Sequence, residues 1–240
     1  MLIFAVSSKE LAKQITRRVG QCVLTCPTTA VYGGIDPATT RAPLSDVAAL
    51  GGALRFFGDS WQISKMLGGV RYWGVPVIDG EFVCEESVAT VKAVGGGNLL
   101  LLARDLDCAL AGAEAAVAAM YRLPNVITPF PGGVVRSGSK IGSKYKGAVA
   151  STNDAFCPTL TGLSQRSELD AQTGCVLEIV IDGLTDADVG AAMTAGIAAA
   201  TALGNRRGVL RISAGNYGGK LGPYHFHLHK LAGDVVGRPA

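Results

Sequence analysis

The sequence predicts an α+β protein of two lobes, built as ferredoxin-like split βαβ sandwiches with antiparallel sheets. Three observations predict it. The second half repeats the order strand, helix, strand, and in the first half Asp79-Gly80 joins two apolar runs in the manner of a tight hairpin. Gly95-Gly96-Gly97 interrupts the pattern between them, so we place the lobe boundary there, giving lobes 1–96 and 97–240. With 48% apolar residues, the chain of 240 residues can cover a sizeable core.

The first lobe opens with an apolar run, residues 1–6, which we interpret as a strand. Leu11, Ile15 and Val19 follow at helical spacing behind a serine cap and predict a helix over 8–19. Strands are then predicted over 21–25 and 54–59, on either side of a long loop.

The second lobe shows more regular patterns. Two Ala-rich segments predict helices over 109–121 and 186–203. Short apolar runs predict the strands 98–103, 125–130, 175–181, 209–213 and 224–231, with a long polar loop over 136–170.

Composition excludes several classes of function. A formal net charge of +3 with 17% charged residues leaves no basic stripe for a phosphate backbone, so nucleic acid is not an expected partner. No segment approaches the roughly 20 apolar residues that cross a bilayer, and residues 1–6 lack a positive leader. The six cysteines lack zinc-ligand spacing and are expected to be reduced and buried, in the cytoplasm.

Glu178 interrupts an otherwise apolar strand, 175–181. Such a carboxylate lies either on an exposed strand edge or in a desolvated position, where it is suited to proton transfer. The residues alone leave these two interpretations equal.

The three histidines, His225, His227 and His229, alternate with apolar residues, so a strand would place all three on one face. This arrangement can hold a metal ion, but no neighbouring carboxylate or thiolate completes it, and a solvated strand face explains the pattern better.

Two polar segments offer hydrogen-bond donors. Residues 129–144 combine serines and lysines with scattered apolar positions, which favours a ligand-binding loop over a linker. Residues 213–222 hold four glycines directly after a strand, without the order of a phosphate-binding loop. Taken alone, that second segment is best interpreted as a sharp structural turn.

Four motifs occur along the chain in a characteristic order and spacing: Phe56-Phe57-Gly58-Asp59, Pro129-Phe130-Pro131-Gly132-Gly133, Ser151-Thr152-Asn153-Asp154 and the run from Ser213 to Gly222. They are supported by Arg18-Val19-Gly20-Gln21-Cys22-Val23 and by the hairpin to Glu85. Together these motifs resemble formylmethanofuran:tetrahydromethanopterin formyltransferase. The resemblance runs from about residue 15 to residue 231.

The resemblance implies formyl transfer between formyl-tetrahydromethanopterin and methanofuran, which act as carrier substrates, with no metal and no prosthetic group. It implies a homodimer or homotetramer, and in bacteria other subunits of a formyltransferase/hydrolase complex. It also implies that 1–96 is an N-terminal (proximal) lobe lacking its first strand-helix-strand portion, and 97–240 a C-terminal (distal) lobe. The alternative is a catalytically silent scaffold subunit of such a complex.

The resemblance makes Glu178 the expected catalytic residue, handling a proton while the methanofuran amine attacks the formyl carbon. We expect the polar segments to bind the carriers and the developing oxyanion. The predicted substrate-binding residues are Ser137, Ser139, Lys140, Ser143, Lys144, Asn153, Asp154, Asn216, Gly218, Gly219 and Lys220.

Overall fold

The computed structural model describes residues 1–35, 44–215 and 222–236, and side chains are described for these except at 44, 45, 205 and 234–236. The chain divides into two compact units, Met1–Lys92 and Ala93–Ala240. Among the described residues no helix combines the length and hydropathy needed to cross a bilayer.

The N-terminal unit begins with helix α1, Ser8–Arg18, in agreement with the predicted helix. The Ser7 hydroxyl accepts a hydrogen bond from the Glu10 N–H at 3.3 Å and caps its first turn. The chain continues into a π-helical turn, Val19–Val23, so the predicted strand 21–25 is wrong. The predicted strand 1–6 is also wrong, because these residues lie in no regular element.

Two sheets complete this unit. Its strands are β1 Ala30–Val31, β2 Leu44–Ala49, β3 Ile63–Leu67, β4 Val70–Val77, β5 Gly80–Glu85 and β6 Ser87–Val91. One sheet has the order β1-β5-β4-β3 and the other pairs β2 with β6. The predicted hairpin is confirmed, with Val77 opposite Gly80 across the turn. Val75, Phe82 and Cys84 from this hairpin are buried, and Ile15 and Val19 belong to the same cluster.

The predicted strand 54–59 is helical instead. Helix α2, Gly51–Leu54, runs into a 3₁₀ turn, Arg55–Gly58, which ends at Asp59 with a positive φ of 47°. The two phenylalanines that suggested a strand are exposed on this turn. Gly51 allows α2 to pack closely against the end of β5, because an added Cβ there would lie 2.6 Å from the Glu85 carbonyl oxygen.

The C-terminal unit has the order βαββαβ around one sheet. Its strands are β7 Val94–Ala103, β8 Val126–Ile127, β9 Ser139–Ile141, β10 Ala150–Thr152, β11 Cys175–Gly183 and β12 Val209–Ser213, and its helices are α3 Leu106–Met120, α4 Asp186–Leu203 and α5 Leu228–Val236. The main sheet has the order β12-β7-β11-β8, and all its pairings are antiparallel. The predicted ferredoxin-like α+β arrangement is therefore confirmed.

Side-chain alternation gives this sheet two different faces. Leu99, Leu101 and Ile179 pack with α3 and α4 in a core that includes Ala113 and Met193. The next residues along each strand, such as Leu100 and Glu178, project from the face without these helices. Leu100 is nevertheless only 2% exposed, so this second face is covered as well.

Helix ends follow their sequence signals. Asp105 caps α3 by accepting the Cys108 N–H at 2.9 Å, and Thr185 begins α4 with a capping box. The predicted helix 186–203 and strand 209–213 match the structure. Gly95-Gly96-Gly97, where the sequence suggested a lobe boundary, lies inside β7.

Two predictions for this unit were wrong. The closing segment 224–231 is not a strand, because residues 224–227 are irregular and α5 begins at Leu228. The loop 136–170 contains a short hairpin in which β9 pairs with β10.

Candidate active site

Glu178 lies at the centre of β11, opposite Leu100 of β7. On its other side its backbone pairs with Val135, whose N–H donates to the Glu178 carbonyl at 2.7 Å. The residue is only 5% exposed. Of the two interpretations left open by the sequence, the structure therefore supports the desolvated carboxylate and not the exposed edge.

Asn98 holds the Glu178 carboxylate. Its Nδ2 donates to Glu178 Oε1 at 2.9 Å, and its Oδ1 accepts the Gly215 N–H at 2.9 Å. Asn98 lies two residues from Leu100 on β7, so it shares the sheet face of Glu178. The carboxylate is thereby joined to Gly215, which lies two residues beyond the end of β12 and within the glycine-rich segment 213–222.

A cavity of about 490 Å³ opens beside Asn98. Three segments and Met193 of α4 line it: residues 93–98 at the start of β7, 213–215 at the end of β12, and 222–229 before and at the start of α5. Glycines and extended backbone form much of this lining, so main-chain N–H and C=O groups are accessible to a ligand. The amide of Asn98 stands between this cavity and the buried carboxylate.

The three histidines line this cavity and are exposed. The rings of His227 and His229 lie with centroids 5.6 Å apart and planes tilted by 44°. They do not share a strand face, since His229 is in α5. Within residues 1–35, 44–215 and 222–236, no three histidine, cysteine or acidic side chains are grouped to hold a metal ion.

Asp182 supports the cavity lining by holding Gly96. Its Oδ1 accepts the Gly96 N–H at 3.0 Å, where Gly96 has a φ of 91°. Burial raises the pKa of this carboxyl above its usual range, and the Gly96 hydrogen bond opposes that shift.

A second polar cluster surrounds Asp154. Its carboxylate pairs with the Lys140 ammonium, accepts the Ser164 hydroxyl at 2.8 Å and pairs with Arg166 Nη2 at 2.9 Å. The hydrogen bond from Lys140, followed by that from Ser164, holds the Asp154 pKa well below its usual range. The cluster ties the β9–β10 hairpin to the loop that follows it.

The other predicted substrate-binding residues are distributed around this hairpin. Ser139 belongs to β9, and the Asn153 N–H donates to the Gly138 carbonyl at 2.8 Å. The Ser143 hydroxyl accepts the Tyr145 N–H at 3.1 Å. Ser137 and Lys144 are exposed. The remaining four, Asn216, Gly218, Gly219 and Lys220, lie outside the described residues.

Sequence reasoning missed Asn98, Asp182, Ser164 and Arg166. One signal for Asn98 was available, because it is a polar residue at the start of the apolar run Leu99–Leu102, much as Glu178 interrupts its own strand. Ser164 and Arg166 carried no signal that distinguished them from other loop residues.

Two family models match the chain. The model described as formylmethanofuran-tetrahydromethanopterin formyltransferase matches residues 1–77, and the model described as FTR, proximal lobe, matches residues 80–231. The chain belongs to this formyltransferase family. In this family description, the part of the protein that matches residues 80–231 is called the proximal lobe.

Members of the formyltransferase family from bacteria and archaea are similar to the chain throughout. A formylmethanofuran–tetrahydromethanopterin formyltransferase from Methylobacillus flagellatus is 60% identical over 234 residues, which cover 96% of this chain and 75% of the relative. The crystal structure of the formyltransferase/hydrolase complex FhcABCD from Methylorubrum extorquens, with methylofuran, has a chain with a TM-score of 0.85 and 49% identity, covering 94% of this chain and 72% of that one. The formyltransferase structure from Methanosarcina barkeri gives a TM-score of 0.83 at 41% identity, covering 95% and 74%.

These matches confirm the resemblance, the α+β fold and an enzyme of the formyltransferase class. The roles of individual residues stay predictions.

Proposed function

We propose that this chain transfers a formyl group between formyl-tetrahydromethanopterin and methanofuran, by direct attack of the methanofuran amine on the formyl carbon. The carriers are substrates, and the reaction needs no prosthetic group. Family membership supports the substrates, since the similar proteins are named for both carriers. One structural observation supports the chemistry: a 5% exposed carboxylate, Glu178, hydrogen-bonded to an amide that lines a cavity.

The transfer requires two proton movements. The neutral amine of methanofuran forms a bond to the formyl carbon, and the carbonyl electrons move to oxygen. The attacking nitrogen then loses a proton, and the pterin nitrogen takes one up as its bond to carbon breaks. Proton number is therefore conserved, and one carboxylate that accepts the first proton can return it to the leaving nitrogen.

Glu178 is suited to that exchange because bulk water has little access to it. A proton accepted in a water-poor position is available for return to the substrate, whereas an exposed carboxylate would lose it to solvent. The developing oxyanion needs donors, which we assign to amides or side chains from 137–143 and 216–219, at about 3 kcal/mol for each well-aimed donor.

The lysines Lys140, Lys144 and Lys220 are proposed to orient the anionic tails of the carriers. Lys140 already forms an ion pair with Asp154, so its charge is partly neutralised when it meets a carrier. Lys144 is exposed, and none of the ion pairs among the described residues includes it, so it is the stronger candidate for a carrier contact.

We further propose a cytoplasmic homodimer or homotetramer that associates with other subunits of a formyltransferase/hydrolase complex. The Methylorubrum extorquens relative is part of such a complex, which supports this assignment. A silent scaffold subunit is less favoured, since the similar proteins are named as transferases.

The test is formyl transfer by the purified chain. The protein is incubated with formyl-tetrahydromethanopterin and methanofuran, and formylmethanofuran is quantified by liquid chromatography, with each carrier omitted in turn. We expect product in proportion to protein, only with both carriers, and unchanged by a metal chelator. No product from folded protein would favour the scaffold, and formate release that stops with the chelator would favour a metal-dependent hydrolase.

A further inference from the structure

Asn98 makes two hydrogen bonds that connect different parts of the C-terminal unit. It donates to Glu178 on β11 and accepts from Gly215 beyond β12, both at 2.9 Å. It is 6% exposed, similar to the 5% of Glu178. A buried amide with bonds on both of its ends is held in one position, and so is the group to which it donates.

The Gly215 contact fixes which way round the amide lies. A backbone N–H can only donate, so the oxygen of Asn98 must face Gly215. The NH₂ group must then face Glu178, where it donates to Oε1. Asn98 therefore presents a donor to one particular oxygen of the carboxylate, and this sets the direction of the other oxygen.

We propose that Asn98 is a positioning residue for formyl transfer, acting through Glu178; the inference rests on the function proposed above. It sets the direction of the catalytic carboxylate and links it to the main chain at Gly215, two residues beyond the end of β12. Asn98 lines the cavity, so a carrier bound there would lie next to the amide that directs the carboxylate.

The consequence is a loss of alignment when Asn98 is removed. Glu178 keeps its backbone pairing with Val135 and Leu100, so the strand stays in place. The carboxylate loses the donor that directs it, and misplacement by about 1 Å can lower a rate by about 100-fold. Carrier affinity, which depends on many contacts, should change much less.

The experiment is a double-mutant cycle on the full chain. Asn98→Ala, Glu178→Gln and the double variant are compared for kcat and for the KM of both carriers. We expect Asn98→Ala to lower kcat by about 10- to 100-fold, with KM altered by less than about 3-fold. The double variant should be no slower than Glu178→Gln alone, because Asn98 acts only through that carboxylate.

Two further variants separate positioning from stability. Asn98→Asp has nearly the same shape and keeps an acceptor for Gly215, but it places a second carboxyl group against Glu178. Two buried carboxyl groups this close share a proton, so Glu178 is no longer a directed, ionised base, and kcat should fall even if the alanine variant folds poorly. Thr173→Val is the matched control: it removes the 2.7 Å hydrogen bond from the buried Thr173 to Asp170 and should lower the melting temperature without lowering kcat.

The outcomes distinguish the two proposals. If the unaltered chain transfers formyl but the losses in kcat multiply in the double variant, or Asn98→Asp is fully active, the positioning role is overturned alone. If the unaltered folded chain transfers no formyl group, the proposed function is overturned and the positioning role with it.

Discussion

Two closely packed glycines beside the candidate site, Gly97 of β7 against α4 and Gly196 of α4 against α3, predict different outcomes for substitution by alanine. An added Cβ at Gly97 would lie 2.4 Å from Val189 Cγ1, and at Gly196 it would lie 2.2 Å from Met120 Cε. Val189 is fully buried and β-branched, so it has no alternative rotamer to adopt without moving the helix. The Met120 methyl is the far end of a flexible side chain and can move aside.

Overpacking of a close-packed core costs about 1–3 kcal/mol, which we expect for Gly97→Ala. In Gly196→Ala the smaller strain is offset by a gain of about 1 kcal/mol in helix propensity, because Gly196 lies inside α4. At roughly 3 °C per kcal/mol for a protein of this size, Gly97→Ala should melt about 3–9 °C lower, and Gly196→Ala near the unaltered protein.

The assay is thermal unfolding followed by circular dichroism, with the two variants measured side by side. Formyl transfer at a temperature where both are folded gives a second readout, since Gly97 precedes Asn98 and its displacement should lower kcat. Equal melting temperatures for the two variants, or a Gly97→Ala protein more stable than the unaltered one, would refute the packing argument.

Three further predictions concern titration and capping. The Asp154 carboxyl has a lowered pKa in the folded state, so its ion pairs stabilise the protein above the unfolded pKa of about 4 and lose that effect as pH falls below it. The stability difference between the unaltered protein and Asp154→Asn, measured by urea unfolding, should therefore shrink in acid. A difference that grows in acid contradicts the assignment. Burial raises the pKa of the Cys84 thiol to about 11, so iodoacetamide at pH 8 should modify the exposed Cys22 and Cys26 first, as detected by peptide mass spectrometry, and rapid labelling of Cys84 in folded protein argues against its burial. Thr185→Ala removes the capping box of α4 and should cost about 1 kcal/mol in urea unfolding, while no loss would show that the cap contributes nothing.

Much of the fold was predictable because its signals are local. The apolar runs around Leu99 and Ile179, the Ala-rich helices and the Asp79-Gly80 turn each match a periodicity or a turn requirement that holds without tertiary context. Phe56-Phe57 misled the prediction because aromatic residues favour strands on average, whereas here they lie exposed on a 3₁₀ turn.

The site was predictable only in part. The interruption of an apolar strand marked Glu178, and its burial followed once the strand proved to be central in the sheet. That Asn98 would meet it depends on the register between β7 and β11, which sequence spacing does not determine. The closing histidines alternate as in a strand, yet α5 begins at Leu228. The carriers themselves were inferred only from the family resemblance.

The most direct measurement compares turnover and carrier binding in Glu178→Gln. Glutamine has nearly the same shape and can still accept the Asn98 hydrogen bond, but it cannot take up the amine proton, so kcat should fall by about 10²- to 10⁴-fold. Dissociation constants for both carriers should stay within about 3-fold, and Glu168→Gln, at an exposed glutamate of the same unit, should remain fully active. Unchanged turnover in Glu178→Gln would contradict the assignment of the buried carboxylate as the group that handles the proton.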